Sequence, residues 1–332
     1  MADIDAALPN PSPAIKAAVD REDVPVLDIG SVLAGLGGAL AQAAADVRYI
    51  QRHLGFYYIE NHGVDQTLID AGFAQLRKFF DQPMGEKLKL RVNRHQIGYV
   101  PPHASVMKTA LTDVNKKPDT NEGLGFMRER AADDPKVVAD VRFSGRNQWP
   151  DSLPGFRETF LAYHAAMERL GQSLLPIYAV ALGKPAEFFA PFFEDAHYYN
   201  RNSHYPATDA EEGQHSIGAH TDHNFMALLP MSAVPALEVE RPSGGWVEAP
   251  IVPGAIVVNT GEFLNRWSNG VFRAIPHRVI IPTRDRYALT FHYNPMDDAV
   301  AAPLDTCISD ENPPQFDPKT FIQHMTDYID AS

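Results

Sequence analysis

The second half of the chain restricts the fold more than any other part of the sequence. After residue 195, short segments rich in β-branched and aromatic residues alternate with turn residues, and eight of these segments read as strands. They are His197 to Tyr205, Ser216 to Thr221, Phe225 to Leu229, Leu237 to Glu240, Trp246 to Glu248, Ala255 to Asn259, Arg278 to Ile281 and Tyr287 to Tyr293. Eight short strands at this spacing predict a jelly roll or a barrel.

Helices are predicted on both sides of this β-rich part. Apolar residues that recur at steps of three and four predict helices at about 39–54, 65–80 and 152–182, and a closing helix is expected at 317–329. Short β-prone runs predict strands at 24–29 and 55–60. Ser152 lies where its hydroxyl would cap the longest helix.

The chain is expected to form two connected regions of one compact unit. Residues 1–150 form a mixed helical and strand region, and residues 151–332 hold the long helix, the β core and the closing helix. Within the first region, the segment 82–107 is rich in proline and glycine and is expected to be a loop lying over another part of the protein. The segment 109–148 is charged and weakly patterned, which predicts a mobile excursion or a lid.

Charge balance and cysteine count exclude several kinds of partner. The formal net charge is −13, from 29 Lys and Arg against 42 Asp and Glu. Binding to nucleic acid or to an anionic membrane rests on a basic surface, so neither is expected here.

Cys307 is the single cysteine, so no intrachain disulfide forms, and no apolar run approaches the roughly 18 residues of a membrane-spanning helix. A cytoplasmic location is therefore expected.

A metal site is predicted where two histidines and an aspartate converge. His220 and Asp222 are two residues apart, so in an extended segment their side chains project from the same face. A second imidazole, His277, follows 55 positions after Asp222 (277 − 222). Two imidazoles and one carboxylate can occupy one face of an octahedral metal and leave the other positions open, as in non-haem Fe(II) oxygenases. With 13 histidines in the chain, a structural role for these residues is the alternative.

An arginine near the last predicted strand strengthens the metal hypothesis. Arg286 shares one face of that strand with Ala288, Thr290 and His292, and the opposite face is apolar and should pack against helices. An arginine turned into the barrel needs a partner. An anionic cosubstrate is a suitable one, because the guanidinium fork grips a carboxylate at two points.

Short motifs along the chain form a wider pattern. They are Val24-Pro25-Val26-Leu27-Asp28, Gly55-Phe56-Tyr57-Tyr58, Asn61-His62-Gly63-Val64, Phe79-Phe80, Glu86-Lys87, Gly98-Tyr99, Asn147-Gln148-Trp149-Pro150, His204-Tyr205-Pro206, His220-Thr221-Asp222, Gly261-Glu262, Ser268-Asn269-Gly270, His277-Arg278-Val279 and Arg286-Tyr287-Ala288. In combination they resemble the iron(II)- and 2-oxoglutarate-dependent oxygenases of the isopenicillin N synthase-like family, over roughly residues 24–296. The resemblance implies a mainly β core with flanking helices, a double-stranded β-helix with an N-terminal α/β region.

The resemblance also implies roles for individual residues. Fe(II) would be bound by His220, Asp222 and His277, and the distal carboxylate of 2-oxoglutarate by Arg286, Tyr205 and Ser203. The family usually has a serine two residues after the arginine and often an asparagine two residues before the tyrosine, where this chain has Ala288 and Ser203. Each change removes or alters one hydrogen bond, worth about 0.5–1.5 kcal/mol.

With these groups the resemblance implies a dioxygenase in which the metal ligands are the only catalytic residues. It would use Fe(II), 2-oxoglutarate and O2, with ascorbate as a possible reductant. It would hydroxylate, desaturate or cyclise a small organic molecule and release succinate and CO2. The alternatives are an iron oxidase of the same fold that does not use 2-oxoglutarate, a non-catalytic 2-oxoglutarate-binding protein, and a zinc hydrolase with the same three ligands.

Four further side chains are candidates for the substrate pocket. Strand parity places Arg201 on the same face as Tyr205. His223 adjoins the metal motif, and His292 lies on the inner face of the last strand. Phe126, in a glycine-rich stretch, is a candidate lid aromatic. Structural roles are the alternative, with an exposed ion pair in the case of Arg201. The polar candidates indicate a polar or anionic substrate.

Overall fold

The structure is a computed structural model that describes residues 8–104, 118–209 and 213–331. Its α-helices are α1 (Pro13–Asp20), α2 (Gly30–Leu33), α3 (Ala39–His53), α4 (Gln66–Phe80), α5 (Met84–Lys87), α6 (Pro135–Val138), α7 (Phe156–Ala181), α8 (Glu262–Trp267) and α9 (Phe321–Ala331). Its strands are β1 (Val26–Asp28), β2 (Phe56–Glu60), β3 (Gly98–Val100), β4 (Glu122–Met127), β5 (His197–Tyr205), β6 (Ile217–His220), β7 (Met226–Pro230), β8 (Leu237–Glu240), β9 (Trp246–Glu248), β10 (Ile256–Thr260), β11 (His277–Val279), β12 (Arg286–Asn294), β13 (Val300–Ala301) and β14 (Lys319–Thr320). No helix within these ranges has the length and apolar character needed to cross a membrane.

The strands form two sheets and a two-stranded ribbon. Within the described ranges the larger sheet has the order β1-β2-β10-β7-β12-β5-β4-β3, the smaller sheet has the order β6-β11-β8-β9, and β13 pairs with β14. All eight strands predicted after residue 195 are present, each within two residues of its expected ends. Apart from the parallel pair β1–β2, neighbouring strands run antiparallel, as in a jelly roll.

The two sheets pack against each other through their apolar faces. One cluster joins Tyr58 and Val257 of the larger sheet to Val239 of the smaller sheet. Another joins Ala288 of the larger sheet to Val279 of the smaller one. Both sheets also line a cavity of about 350 Å³.

Helices cover the larger sheet. The long helix α7 buries a stripe of apolar side chains, including Phe156, Phe160 and Tyr163, in the main core. The Tyr163 hydroxyl donates a hydrogen bond to the backbone oxygen of Leu289 at 2.8 Å, which fixes α7 against the middle of β12.

The N-terminal region is built into the same sheet as the β core. β1 and β2 form one edge of the larger sheet, and β3 and β4 form the other. Residues on both sides of position 150 therefore contribute to one sheet, and the domain boundary at 150 stays a prediction. Part of the segment expected to be a loop, 82–107, contains α5 and β3.

Two expectations for the first half are wrong. The lid expected at 109–148 instead contains Glu122–Met127, the buried strand β4 between β3 and β5. Its two glycines hide the alternation of polar and apolar residues that identifies a strand. Residues 109–117 of the expected lid, like 105–107 of the expected loop, lie outside the described residues. Ser152 does not cap α7, because the helix begins four residues later and the Ser152 hydroxyl accepts a hydrogen bond from Gln82 at 2.7 Å.

Gly171 in α7 provides a test of how closely this helix packs on β12. A Cβ atom added at Gly171 would lie 2.5 Å from the ring of Tyr293, closer than carbon atoms approach. Gly171→Ala should therefore lower the free energy of unfolding by about 1–3 kcal/mol, the usual cost of overpacking a core. Urea denaturation measures the change.

Gly85→Ala is the matched control for this substitution. No heavy atom lies within 4 Å of a Cβ atom added at Gly85, which lies in the short helix α5. Its free energy of unfolding should be equal to that of the wild type or slightly higher. A Gly171→Ala protein as stable as the wild type would contradict the close packing of α7 on β12.

Candidate active site

Two histidines lie side by side on neighbouring strands of the smaller sheet. His220 ends β6 and His277 begins β11, and the antiparallel register pairs the two residues directly. Their ring centroids are 4.4 Å apart, and both side chains are buried. The pairing of two strands therefore brings together two imidazoles that are distant in the sequence.

Backbone carbonyls determine which ring nitrogen of each histidine is free. Nδ1 of His220 lies 2.9 Å from the oxygen of Gly218, and Nδ1 of His277 lies 3.3 Å from the oxygen of Ile275. A carbonyl oxygen can only accept, so each Nδ1 carries the proton and donates it. In a neutral imidazole the Nε2 lone pair then remains available to a metal.

Asp222 adds a carboxylate to the two imidazoles. One of its oxygens lies 3.9 Å from Nε2 of His220, and the other lies 3.8 Å from Nε2 of His277. These separations are too long for hydrogen bonds. They suit atoms that share one cation, because each metal–ligand bond is about 2.0–2.2 Å long. The three ligand atoms lie within 4.8 Å of one another, the only such group in the described part of the chain, and they fit a metal ion.

The electrostatics favour the metal-binding forms of these groups. Burial and the nearby imidazole of His277 lower the pKa of His220 to about 3. Burial alone would raise the pKa of Asp222. The imidazoles of His277, His292 and His220, together with the hydrogen bond from Asn259, outweigh burial and hold that pKa below its ordinary value. At neutral pH the site therefore presents a neutral ring nitrogen and an ionised carboxylate, which are the forms that bind a metal.

Neighbouring groups hold Asp222 in place. Nδ2 of Asn259 donates a hydrogen bond to a carboxylate oxygen of Asp222 at 2.8 Å, and the backbone N–H of Glu262 donates to the Asp222 carbonyl at 2.7 Å. The turn between β10 and α8 passes very close to the segment after Asp222. A Cβ atom added at Gly261 would collide with the side-chain oxygen of Asn224, so the turn requires glycine.

Arg286 brings a cation to the same cavity. It begins β12, is buried, and its guanidinium carbon lies 4.9 Å from the ring centroid of Tyr205, its register partner on β5. Its Nε donates to the backbone oxygen of Val234 at 3.3 Å, while one terminal nitrogen has no hydrogen-bond partner within the described ranges. Burial lowers the pKa of Arg286 from its ordinary value.

Two smaller residues stand beside this arginine. Ser203 on β5 and Ala288 on β12 are register partners, and both line the cavity. The hydroxyl of Ser203 and the methyl group of Ala288 are therefore the side chains next to the Arg286–Tyr205 pair along the two strands.

The three polar candidates for the substrate pocket line the same cavity. Arg201 lies on β5, opposite Thr290 of β12. The rings of His223 and His292 stack with their centroids 5.8 Å apart. The exposed ion pair considered for Arg201 is not formed, because this side chain is partly buried and no carboxylate oxygen of the described residues lies within 4.0 Å of its guanidinium.

The structure corrects the prediction for Phe126. This residue does not line the cavity, although its β4 neighbours Gly123 and Gly125 do. Phe126 points to the helical side of the sheet, where its buried ring stacks on Trp149 at 4.5 Å and contacts Phe160. The alternation of side chains along β4 places it there.

Several residues of the site were not found from the sequence. Asn259 contacts the metal-ligand candidate Asp222, and Tyr328 and Ile329 of the closing helix line the cavity. The Tyr328 hydroxyl donates to the backbone oxygen of Thr221 at 3.2 Å. The motif Gly261-Glu262 pointed to the turn after β10, but no sequence signal places the last helix against the cavity.

Comparisons with known proteins agree with this geometry. Residues 24–152 match the family described as the non-haem dioxygenase in morphine synthesis N-terminal region, and residues 196–295 match the 2OG-Fe(II) oxygenase superfamily. The candidate ligands and Arg286 all lie within the second match.

Two sequence relatives and one solved protein illustrate the likeness. The chain is 31% identical over 306 residues to a 2-oxoglutarate-Fe(II) type oxidoreductase, hxnY, of Emericella nidulans, covering 89% of this chain and 86% of the relative. It is 33% identical over 287 residues to azadirone synthase LFS of Melia azedarach, covering 83% and 84%. A full-length Neurospora crassa protein, crystallised in complex with alpha-KG, superimposes with a TM-score of 0.82 at 26% identity, covering 93% of this chain and 96% of that one. A second crystal structure of the same Neurospora crassa protein, with alpha-KG and thymine, gives a TM-score of 0.81 at 25% identity, covering 93% and 96%.

The chain belongs to the iron(II)- and 2-oxoglutarate-dependent oxygenases, in the isopenicillin N synthase-like superfamily. Its jelly-roll core is the double-stranded β-helix of that family. It is a 2-oxoglutarate-dependent dioxygenase that acts on small molecules and uses Fe(II) and 2-oxoglutarate. A similar protein of Dictyostelium discoideum is named a probable iron/ascorbate oxidoreductase, which supports ascorbate as the reductant. An oxidase without 2-oxoglutarate and a non-catalytic binding protein are not favoured.

Asn259→Ala tests whether the hydrogen bond from Asn259 orients the candidate metal ligand Asp222. Loss of its hydrogen bond to Asp222 should weaken metal binding about 10- to 100-fold, the usual effect of removing such an outer partner. Calorimetric titration with Mn(II), a redox-stable substitute for Fe(II), measures the affinity. Asp222→Ala removes the ligand atom and is the control in which no metal binding is expected. Wild-type affinity in Asn259→Ala would show that this hydrogen bond does not orient the carboxylate.

Proposed function

We propose that His220, Asp222 and His277 bind one Fe(II), which this protein uses with 2-oxoglutarate to oxidise a small polar molecule. The observation that carries this proposal is the convergence of two imidazole Nε2 atoms and one carboxylate within 4.8 Å in a buried cavity. Two imidazoles and one carboxylate fill three positions on one side of an octahedral metal and leave the rest for small ligands.

Arg286 is proposed to bind the distal carboxylate of 2-oxoglutarate. A buried guanidinium is costly unless an anion balances its charge. The carboxylate of a five-carbon diacid that chelates the metal would supply that anion, gripped by the fork of the guanidinium. Tyr205 and Ser203 are assigned to the same carboxylate because both line the cavity from the strand that pairs with β12.

The protein's own groups bind the reactants, orient them and keep water away. Apolar side chains of both sheets, among them Phe56, Leu229 and Val257, line the cavity with the polar groups. Bound iron, with 2-oxoglutarate as the source of two electrons, supplies the activation of O2. The carbonyls behind the two histidines, and Asn259 behind Asp222, keep the ligand atoms directed at one point.

The substrate is proposed to be polar because Arg201, His223 and His292 line the cavity with the candidate iron ligands. The thymine bound by the similar Neurospora crassa protein is one small polar molecule. A cytoplasmic location stays a prediction that rests on the single cysteine, Cys307.

Succinate formation tests the proposed function. The protein with Fe(II), O2, 2-oxoglutarate and ascorbate should release succinate, because ascorbate supplies the two electrons that reduce the second oxygen atom when no substrate is bound. Zn(II) in place of Fe(II) should not support this release. Arg286→Met should raise the Kd of 2-oxoglutarate about tenfold or more, because a charge-assisted hydrogen bond is worth about 1.5–3 kcal/mol. Anaerobic calorimetry measures that Kd, and Mn(II) binding should be unchanged. Equal 2-oxoglutarate affinity in Arg286→Met and wild type would reject the assignment of Arg286.

Ala288→Ser tests the proposed binding site of the 2-oxoglutarate carboxylate by adding a hydrogen-bond donor, whereas Arg286→Met removes one. A hydroxyl at this buried position, opposite Ser203, would add one hydrogen bond worth about 0.5–1.5 kcal/mol. The Kd of 2-oxoglutarate should fall by about two- to tenfold in the same calorimetric assay. A higher Kd would mean that position 288 does not face the bound carboxylate.

A further inference from the structure

The cavity contains a second arginine that the proposed iron and 2-oxoglutarate sites do not use. Arg201 lies on β5 four residues before Tyr205, so the two residues share a strand face and are separated by about 13 Å at about 3.3 Å per residue. Arg286 is the register partner of Tyr205, whereas Arg201 pairs with Thr290. Two cations therefore enter one cavity from backbone positions about 13 Å apart along the strands.

The surroundings of Arg201 do not neutralise it through a close contact. Among the described residues, no carboxylate oxygen lies within 4.0 Å of its guanidinium. Asp119 also lines the cavity and acts on Arg201 electrostatically, and its carboxylate accepts a hydrogen bond from the backbone of Gly218 at 3.3 Å. A partly buried guanidinium without an adjacent anion is poised to bind one.

Other polar groups line the cavity near Arg201. Tyr199, next but one to Arg201 on β5, stacks on His292 with ring centroids 5.7 Å apart. His292 stacks in turn on His223, whose Nε2 is buried and has no hydrogen-bond partner in the part of the chain that the structure describes. Planar rings and an unsatisfied ring nitrogen beside a guanidinium match a small planar acid better than a flexible polar chain.

We propose that Arg201 binds the carboxylate of the substrate, so that the enzyme oxidises small carboxylic acids. This inference rests on the proposed function, in which Arg286 is occupied by 2-oxoglutarate. The carboxylate of the substrate lies beside the Arg201 side chain of β5, and the His223–His292 pair contacts the rest of the substrate molecule. At about 350 Å³, near the lower end of ligand pockets, the cavity limits the substrate to a small molecule once 2-oxoglutarate is bound.

Matched acids and amides test this assignment. Benzoate, phenylacetate, cyclohexanecarboxylate and cinnamate are each compared with the corresponding primary amide. Anaerobic calorimetry on the Fe(II)–2-oxoglutarate enzyme measures binding, and succinate formation measures stimulation. The wild type should bind at least one acid about tenfold or more tightly than its amide, as expected for charge-assisted hydrogen bonds. That acid should also stimulate succinate formation.

Three variants of the full chain identify the group responsible. Arg201→Met should bring the Kd of the acid to that of the amide, and Arg201→Lys should retain part of the difference because it keeps the charge but not the fork. Both should keep the wild-type Kd for 2-oxoglutarate, which shows that they are folded. Arg157→Met, which removes an exposed arginine of α7 paired with Glu129, should change neither constant.

Several outcomes would overturn the inference. Equal binding of acids and amides by the wild type would mean that the charge of Arg201 is used within the protein, for example by Asp119. Binding of none of the acids, an unchanged acid preference in Arg201→Met, or loss of 2-oxoglutarate binding in that variant would also reject it. A wild type that binds neither Fe(II) nor 2-oxoglutarate would instead reject the proposed function.

Discussion

The pairing of β6 with β11 is the interaction on which the candidate site depends. It sets His220 directly opposite His277, and backbone carbonyls two residues before each histidine hold the two rings with Nε2 free. A shift of one residue in this register would turn one imidazole to the other face of the sheet. The packing of β8 against β11 and of the smaller sheet against the larger one keeps the register in place. The metal geometry is therefore a consequence of sheet assembly.

The distribution of charge in the cavity contrasts with that of the whole chain. The protein carries a formal net charge of −13, yet two arginines enter the cavity from adjacent antiparallel strands. Cations in a site shielded from water interact strongly with bound anions. The proposed iron lies in the same cavity as both, so each reactant would be anchored by its own arginine and directed at the metal. On this account the two strands β5 and β12 determine what binds, and the smaller sheet contributes the two histidines.

The sequence predicted the β core well because alternation and turn residues are local signals, and the eight strands predicted after residue 195 are all present. The two-residue strands β13 and β14 are too short to carry such a signal and were not predicted. The metal-ligand candidates and the inward arginine could also be predicted, since strand parity and motif spacing carry that information. The sequence did not predict β4 because two glycines interrupt its pattern. Phe126 was for the same reason predicted as a lid aromatic, whereas its ring packs on the helical side of the sheet. Asn259 and the closing helix entered the site through tertiary packing, which no local pattern encodes.

The most direct test of the proposed iron centre is an anaerobic titration of the metal-free protein with Fe(II) in the presence of 2-oxoglutarate. The visible charge-transfer absorption of the iron–2-oxoglutarate chelate reports the complex in which both bind at one site. The account predicts that this absorption saturates at one iron per chain in the wild type and is absent from His277→Ala, which stays folded by circular dichroism. The same absorption in a folded His277→Ala protein, or its absence from the wild type, would contradict the assignment of the metal centre.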